Sequence, residues 1–117
     1  MKRENVIQEK SFEFSLTIIE LYKKLVSERE YIISKQILRS GTSIGANIEE
    51  AIAAHSRKDF IYKMNLSRKE ARETYYWLRL LSVSKLTKIN LKTEMDAILE
   101  IIRILTSIVK STSELNS

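Results

Sequence analysis

The only imidazole in the sequence is His55, and there is no cysteine. Thiolate chemistry, disulfides and cysteine-ligated metals are thereby excluded. A carboxylate-bridged metal pair in a helical protein needs Glu-x-x-His on facing helices. The residue three before His55 is Ile52, so that motif is missing. Serines are plentiful, yet one histidine and no flanking glycine elbow leave none with the base that nucleophilic attack requires. Gly41 and Gly45, the two glycines, cannot form a phosphate-cradling loop. These absences predict no catalytic residue, no metal and no cofactor: the expectation is that the protein is not an enzyme. His55 reads as a structural residue at a helix end.

What remains is binding chemistry. The net charge is +5, and the surplus is concentrated, with seven Lys and Arg against three Asp and Glu in residues 56–84. Arg57, Arg68, Arg72 and Arg79 fall on one side of a helix there, with Lys58 and Lys69 beside them. The reading sets this stripe opposite the apolar line of Phe60, Met64, Ala71 and Leu78. From Arg57 to Arg79 it runs roughly 33 Å at 1.5 Å per residue, enough to follow several phosphates. Tyr62, Tyr75 and Tyr76 stand near enough to stack on unpaired bases. Nucleic acid, with RNA favoured over DNA, is the ligand this pattern predicts. A protein partner is the alternative, the charge then serving solubility alone.

A second group of polar residues suits architecture. Asn47 and Glu50 are three apart on one predicted helix, and Glu70, Glu73 and Trp77 are neighbours on the next. Turned inward, the carboxylates need a partner such as Arg39 or each other, because an unpaired buried charge is costly; turned outward, the glutamates form a solvated face paired with lysines one turn away. Ser40, Gly41 and Gly45 belong to a run of small residues that would let another helix approach closely, and Asn47 reads as a buried or interfacial amide.

The elements that must position these groups are helices. Proline is absent, and two glycines in 117 residues leave few turn signals. Apolar residues recur at three and four throughout, predicting helices over about 6–27, 30–55, 57–83 and 88–112 in one domain spanning 1–117. Ser27 with Glu30, Ser56 with Asp59, and Thr87 supply the expected caps. Short connections favour an all-α, antiparallel up-down-up-down four-helix bundle. The apolar faces are wider than one bundle needs. On the first helix Phe12, Leu16, Ile19 and Val26 form a second line beside Ile7, Phe14, Ile18, Leu21 and Leu25, and this surplus predicts self-association. No secretory leader and no run of about 20 apolar residues is seen, so the expectation is a cytoplasmic protein with no membrane contact.

The central block, from Leu38 to Leu81, resembles the four-helix-bundle proteins encoded in intervening sequences of bacterial 23S rRNA genes, historically labelled a ribosomal protein of that subunit. The pattern R-S-x-T-S-I-x-A-N-I-x-E-A is present as Arg39 to Ala51, D-F as Asp59-Phe60, and K-E-A-x-E-T-x-Y-W-L as Lys69 to Leu78. K-S-F-E-F at Lys10–Phe14 also matches. The resemblance implies a ring-like homo-oligomer, a pentamer. It also implies likeness to accessory proteins of diversity-generating retroelements, whose basic surface contacts nucleic acid and a reverse transcriptase. Arg39, Ser40, Asn47, Glu50, Glu70, Glu73 and Trp77 stand at its hallmark positions.

Overall fold

A computed structural model describes residues 3–116. Met1, Lys2 and Ser117, which the single-domain reading took in, lie outside the described residues. The described chain is four helices with no strand: α1 (Arg3–Ser27), α2 (Ile33–Ile52), α3 (Arg57–Ser84) and α4 (Lys92–Asn116).

The first break falls where the Ser27–Glu30 spacing puts it, but the roles differ from a capping box. Ser27 Oγ donates to the Lys24 carbonyl at 2.6 Å and caps nothing. Instead the Glu30 N–H reaches the Leu25 carbonyl and the Arg29 N–H that of Val26, both at 2.9 Å. This is a Schellman closure, with Arg29 (φ 66°) in the left-handed position that glycine usually fills. The Glu30 carboxylate then accepts the N–H groups of Ile32, Ile33 and Ser34 at 3.1, 3.1 and 2.6 Å. One residue thus closes α1 and opens α2, which starts at Ile33 rather than at 30.

The other ends are set similarly. α2 stops at Ile52, short of the predicted 55, so His55 lies in a loop and does not extend the isoleucine face. Ser56 Oγ accepts from the Asp59 N–H at 3.0 Å, as its spacing predicts. α3 ends at Ser84, followed by Lys85 in the left-handed region at φ 59°. Thr87 does not cap α4: its hydroxyl donates to Glu28 Oε1 at 2.6 Å and ties the two loops at that end together. Asn90 Oδ1 accepts from the Lys92 N–H instead, and the helix runs from Lys92 to Asn116 rather than 88 to 112.

Each helix packs on two neighbours, in the pairs α1–α2, α2–α3, α3–α4 and α1–α4. Hydrogen bonds fix the sense. Arg3, early in α1, donates to Ser107 and Ser111, late in α4. Gln8 of α1 donates to Glu49 of α2, and the α2–α3 bonds pair 40 with 74 and 44 with 67. Neighbours are therefore antiparallel, in a bundle with extents of 47 × 24 × 22 Å. Ile7, Phe14, Ile18, Leu21 and Leu25 of α1 are buried in the core, with Ile44 and Ile48 of α2, Leu78 and Leu81 of α3, and Ile98 and Leu105 of α4. Burying each contributes roughly 1.5–3 kcal/mol. The second apolar line of α1 is covered in part: Ile19 and Val26 are half-buried, while Phe12 is 62% exposed and Leu16 51%.

Candidate nucleic-acid interface

The small residues of α2 serve packing on both of its sides. Toward α1, a β-carbon at position 41 would stand 2.9 Å from Ile18 Cγ2, and one at position 45 would stand 3.5 Å from the Ser11 carbonyl oxygen. Toward α3, Ser67 Oγ donates to the Ile44 carbonyl at 2.8 Å and Thr74 Oγ1 to Ser40 Oγ at 2.8 Å. Ser40, Ser67 and Thr74 are fully buried and bonded, as buried hydroxyls must be.

At the edge of the same α2–α3 seam, Arg39 joins two carboxylates. Its Nη1 lies 3.2 Å from Glu70 Oε2, and its Nη2 donates to Glu73 Oε2. Trp77 Nε1–H donates to that same Glu73 oxygen at 2.9 Å. Burial pushes the Glu73 carboxyl up, but the hydrogen bonds from Trp77 and Arg39 and the charges of Arg39 and Lys69 outweigh it. The group is held below its usual range. The hydrogen bond to Glu73 raises Arg39 in turn, against the effect of its burial. Asn47 and Glu50 are not part of this cluster. Asn47 is half-buried and donates to the Ser43 carbonyl of its own helix at 2.9 Å, while Glu50 is exposed.

The structure divides the arginine stripe: Arg72 and Arg79 stand on the back of α3, while Arg57 and Arg68 turn toward its flank. At about 100° per residue the stripe's mean direction stands roughly 70° from the buried line of Met64, Ala71 and Leu78, with Arg57 and Arg68 nearest to it. Arg68 is accordingly half-buried and donates to Asn65 Oδ1 at 2.8 Å. Arg57, at the foot of the helix, lines an open cavity with Arg3, Glu4 and His55. The back of α3 is a ridge at alternating spacings of four and three: Lys58, Tyr62, Asn65, Lys69, Arg72, Tyr76, Arg79 and Val83, every one exposed. It carries four cations and no acid. Two of the three α3 carboxylates are those drawn onto α2 by Arg39, so the pairing separates the charges of α3 into two faces.

The tyrosines divide as well. Tyr75 is half-buried against the core and has the Arg79 guanidinium 5.5 Å from its ring centre. Tyr62 and Tyr76 are 58% and 51% exposed. The reading from sequence named the four ridge cations but missed the ridge itself; the unbroken four-and-three alternation from 58 to 83 is the signal that would have found it.

A family model, that of the 23S rRNA-intervening sequence protein, matches residues 3–108. Among solved structures, the chain is similar to a crystal structure, at 1.70 Å resolution, of a protein with unknown function from the S23 ribosomal protein family of Bacteroides thetaiotaomicron VPI-5482. The two are 50% identical, with a TM-score of 0.88 over 93% of this chain and 99% of that one. No curated protein matches.

Proposed function

The chain belongs to the 23S rRNA-intervening sequence protein family, and we propose that it acts without catalysis, as a self-associating helical bundle that binds nucleic acid along the back of α3. The observation that carries this reading is the acid-free ridge of Lys58, Lys69, Arg72 and Arg79. Phosphate backbones are recognised by such a line of cations, whose binding displaces counterions. The exposed rings of Tyr62 and Tyr76 beside these cations suit unpaired bases, so RNA is the ligand of first choice. Self-association is supported by the uncovered Phe12 and Leu16, and the resemblance suggests a ring of five. No described helix is long and apolar enough to cross a membrane, and the cytoplasm is the compartment proposed.

Fluorescence anisotropy with a labelled RNA hairpin bearing single-stranded tails tests this. Four ridge cations should give a log–log salt slope of roughly −3 on single-stranded segments. Lys58→Glu/Arg72→Glu reverses two exposed charges, and should abolish binding at about physiological salt. No binding at low salt, or binding that survives the reversal, refutes the reading.

A second reading, a scaffold that recruits another protein such as a reverse transcriptase, draws on the open cleft formed by Gln8, Phe12, Leu16 and Glu49. Capture of a protein that persists after nuclease treatment and is lost in Phe12→Glu/Leu16→Glu favours it.

A further inference from the structure

Resting on the nucleic-acid reading, we infer that the ridge is selective for single strands, with Tyr62 and Tyr76 each stacking on an unpaired base while the cations around them hold the phosphates. The order along the ridge is cation, ring, two cations, ring, cation: Lys58, Tyr62, Lys69 and Arg72, Tyr76, Arg79. Exposed lysines and arginines are common on helices; two tyrosine rings more than half exposed among them are not explained by solubility or by the bundle core. A duplex offers such rings nothing, since its bases already face one another. The major groove of duplex RNA is also too deep and narrow for side chains to read. A single strand offers base faces, and every base has one.

The two rings are separated by 14 residues, about 21 Å of helix at 1.5 Å per residue. They therefore receive bases several nucleotides apart, with Lys69 and Arg72 beneath the strand between them, a footprint within the roughly 4–16 nucleotides of known single-strand sites. Tyr76 is also braced: its ring meets Trp77 edge to face at 5.3 Å and 66°. Trp77 is itself held by Glu73. Tyr62 has the Lys63 ammonium 5.9 Å from its ring centre, a cation placed beside the stacking platform.

The test compares oligouridylate with an RNA duplex of the same length, by anisotropy, for the wild-type protein, Tyr62→Ala/Tyr76→Ala, Tyr62→Phe/Tyr76→Phe and Lys58→Glu/Arg72→Glu. Loss of stacking should weaken single-strand binding about 5- to 150-fold per ring. Duplex affinity should stay within about twofold and the phenylalanine pair should match the wild type, because stacking needs the ring and not the hydroxyl. Both rings are exposed, so the alanine pair should fold, as the helical circular dichroism would report. Equal losses on single strand and duplex, or no loss on either, overturn the inference while leaving the cation ridge standing. Survival of binding in the charge reversal sinks the nucleic-acid reading itself. A ridge that instead covers a second copy would show as a drop in molar mass by light scattering in the alanine pair, without single-strand selectivity, and would overturn the stacking role.

Discussion

The two glycines of α2 allow the same chemical change to be made twice with opposite outcomes. Replacing a mid-helix glycine by alanine gains up to about 1 kcal/mol of helix propensity. At Gly45 the new methyl would find its nearest atoms, the Ser11 carbonyl and hydroxyl oxygens, at 3.5 Å, an ordinary contact. Gly45→Ala should therefore stabilise, by about 0.5–1 kcal/mol. At Gly41 the methyl would meet Ile18 Cγ2 at 2.9 Å and Cγ1 at 3.0 Å, against an optimum near 3.5–4.0 Å between carbons. Ile18 is fully buried, and its branched β-carbon leaves essentially one rotamer in a helix. Relief must come from moving α1 and α2 apart, and overpacking of this kind costs about 1–3 kcal/mol. The propensity gain is cancelled or exceeded, so Gly41→Ala should be neutral to about 2 kcal/mol destabilising. Urea unfolding followed by circular dichroism, at several protein concentrations so that self-association is held apart from folding, measures both. Combining Gly41→Ala with Ile18→Ala should fall short of additivity by about 1 kcal/mol or more. Equal stabilisation by the two alanines would refute the close approach of α1 to Gly41.

Other expectations follow from the helix ends and the ion cluster. Glu30→Ala should cost about 1–2 kcal/mol, because three N–H groups at the start of α2 lose their acceptor; Glu30→Gln, which keeps one acceptor oxygen, should cost less in the same urea titration. Lys85→Gly and Arg29→Gly should each stabilise the fold by roughly 0.5–1 kcal/mol, read as a higher urea midpoint, since both positions hold a left-handed backbone that a β-carbon disfavours. Glu73 is held below its usual value in the folded protein, so its contribution is fully present above the unfolded value and lost as pH falls through the folded one. The stability gap between wild type and Glu73→Gln, about 1 kcal/mol or less for a pair half in water, should thus be constant near neutrality and close as pH drops below 4.5.

Helix count and order were legible because the isoleucines and leucines keep a helical period through the whole chain, and burial follows that period: Ile7, Phe14, Ile18, Leu21 and Leu25 are all in the core. Boundaries were less legible where a side chain does two jobs. Glu30 has the spacing of a capping-box partner, yet it accepts from the helix ahead of it, a role spacing alone does not distinguish. Thr87 has the type of a cap but is taken by Glu28 from another loop, a tertiary bond the local sequence cannot show. Arg39 could be named as one possible partner of Glu70 and Glu73, because carboxylates turned inward need a cation, but a solvated face fitted the same spacing equally well. The reading of Asn47 as a buried or interfacial amide rests on its isoleucine neighbours, but an amide so flanked is satisfied equally well across a seam or, in this half-buried position, by the carbonyl one turn back. The stripe on α3 shows the same limit: arginines mark it, but its angle to the core decides which cations face outward, and Arg68 gives way to Lys69.

Arg39 is basic and about half exposed at its side chain, which raises the question of whether it belongs to the binding surface. Magnitudes argue that it does not. Its backbone lies on α2, about one helix diameter or 10 Å from that of α3, and its guanidinium is neutralised by Glu70 and Glu73. A unit charge at that distance in water is worth about 0.4 kcal/mol, or a factor of about two at low salt. At physiological salt the Debye length is about 8 Å and most of that is screened. Arg39→Met should therefore leave single-strand affinity within about twofold at any salt, while loosening the α2–α3 seam by up to about 1 kcal/mol. Arg72→Glu, on the ridge, should do the reverse: a large loss of affinity and little change in stability. A tenfold affinity loss in a fully folded Arg39→Met would move the interface from the back of α3 to the α2–α3 seam, and would assign Glu70 and Glu73 the task of orienting a ligand-binding arginine rather than of clearing acid from the ridge.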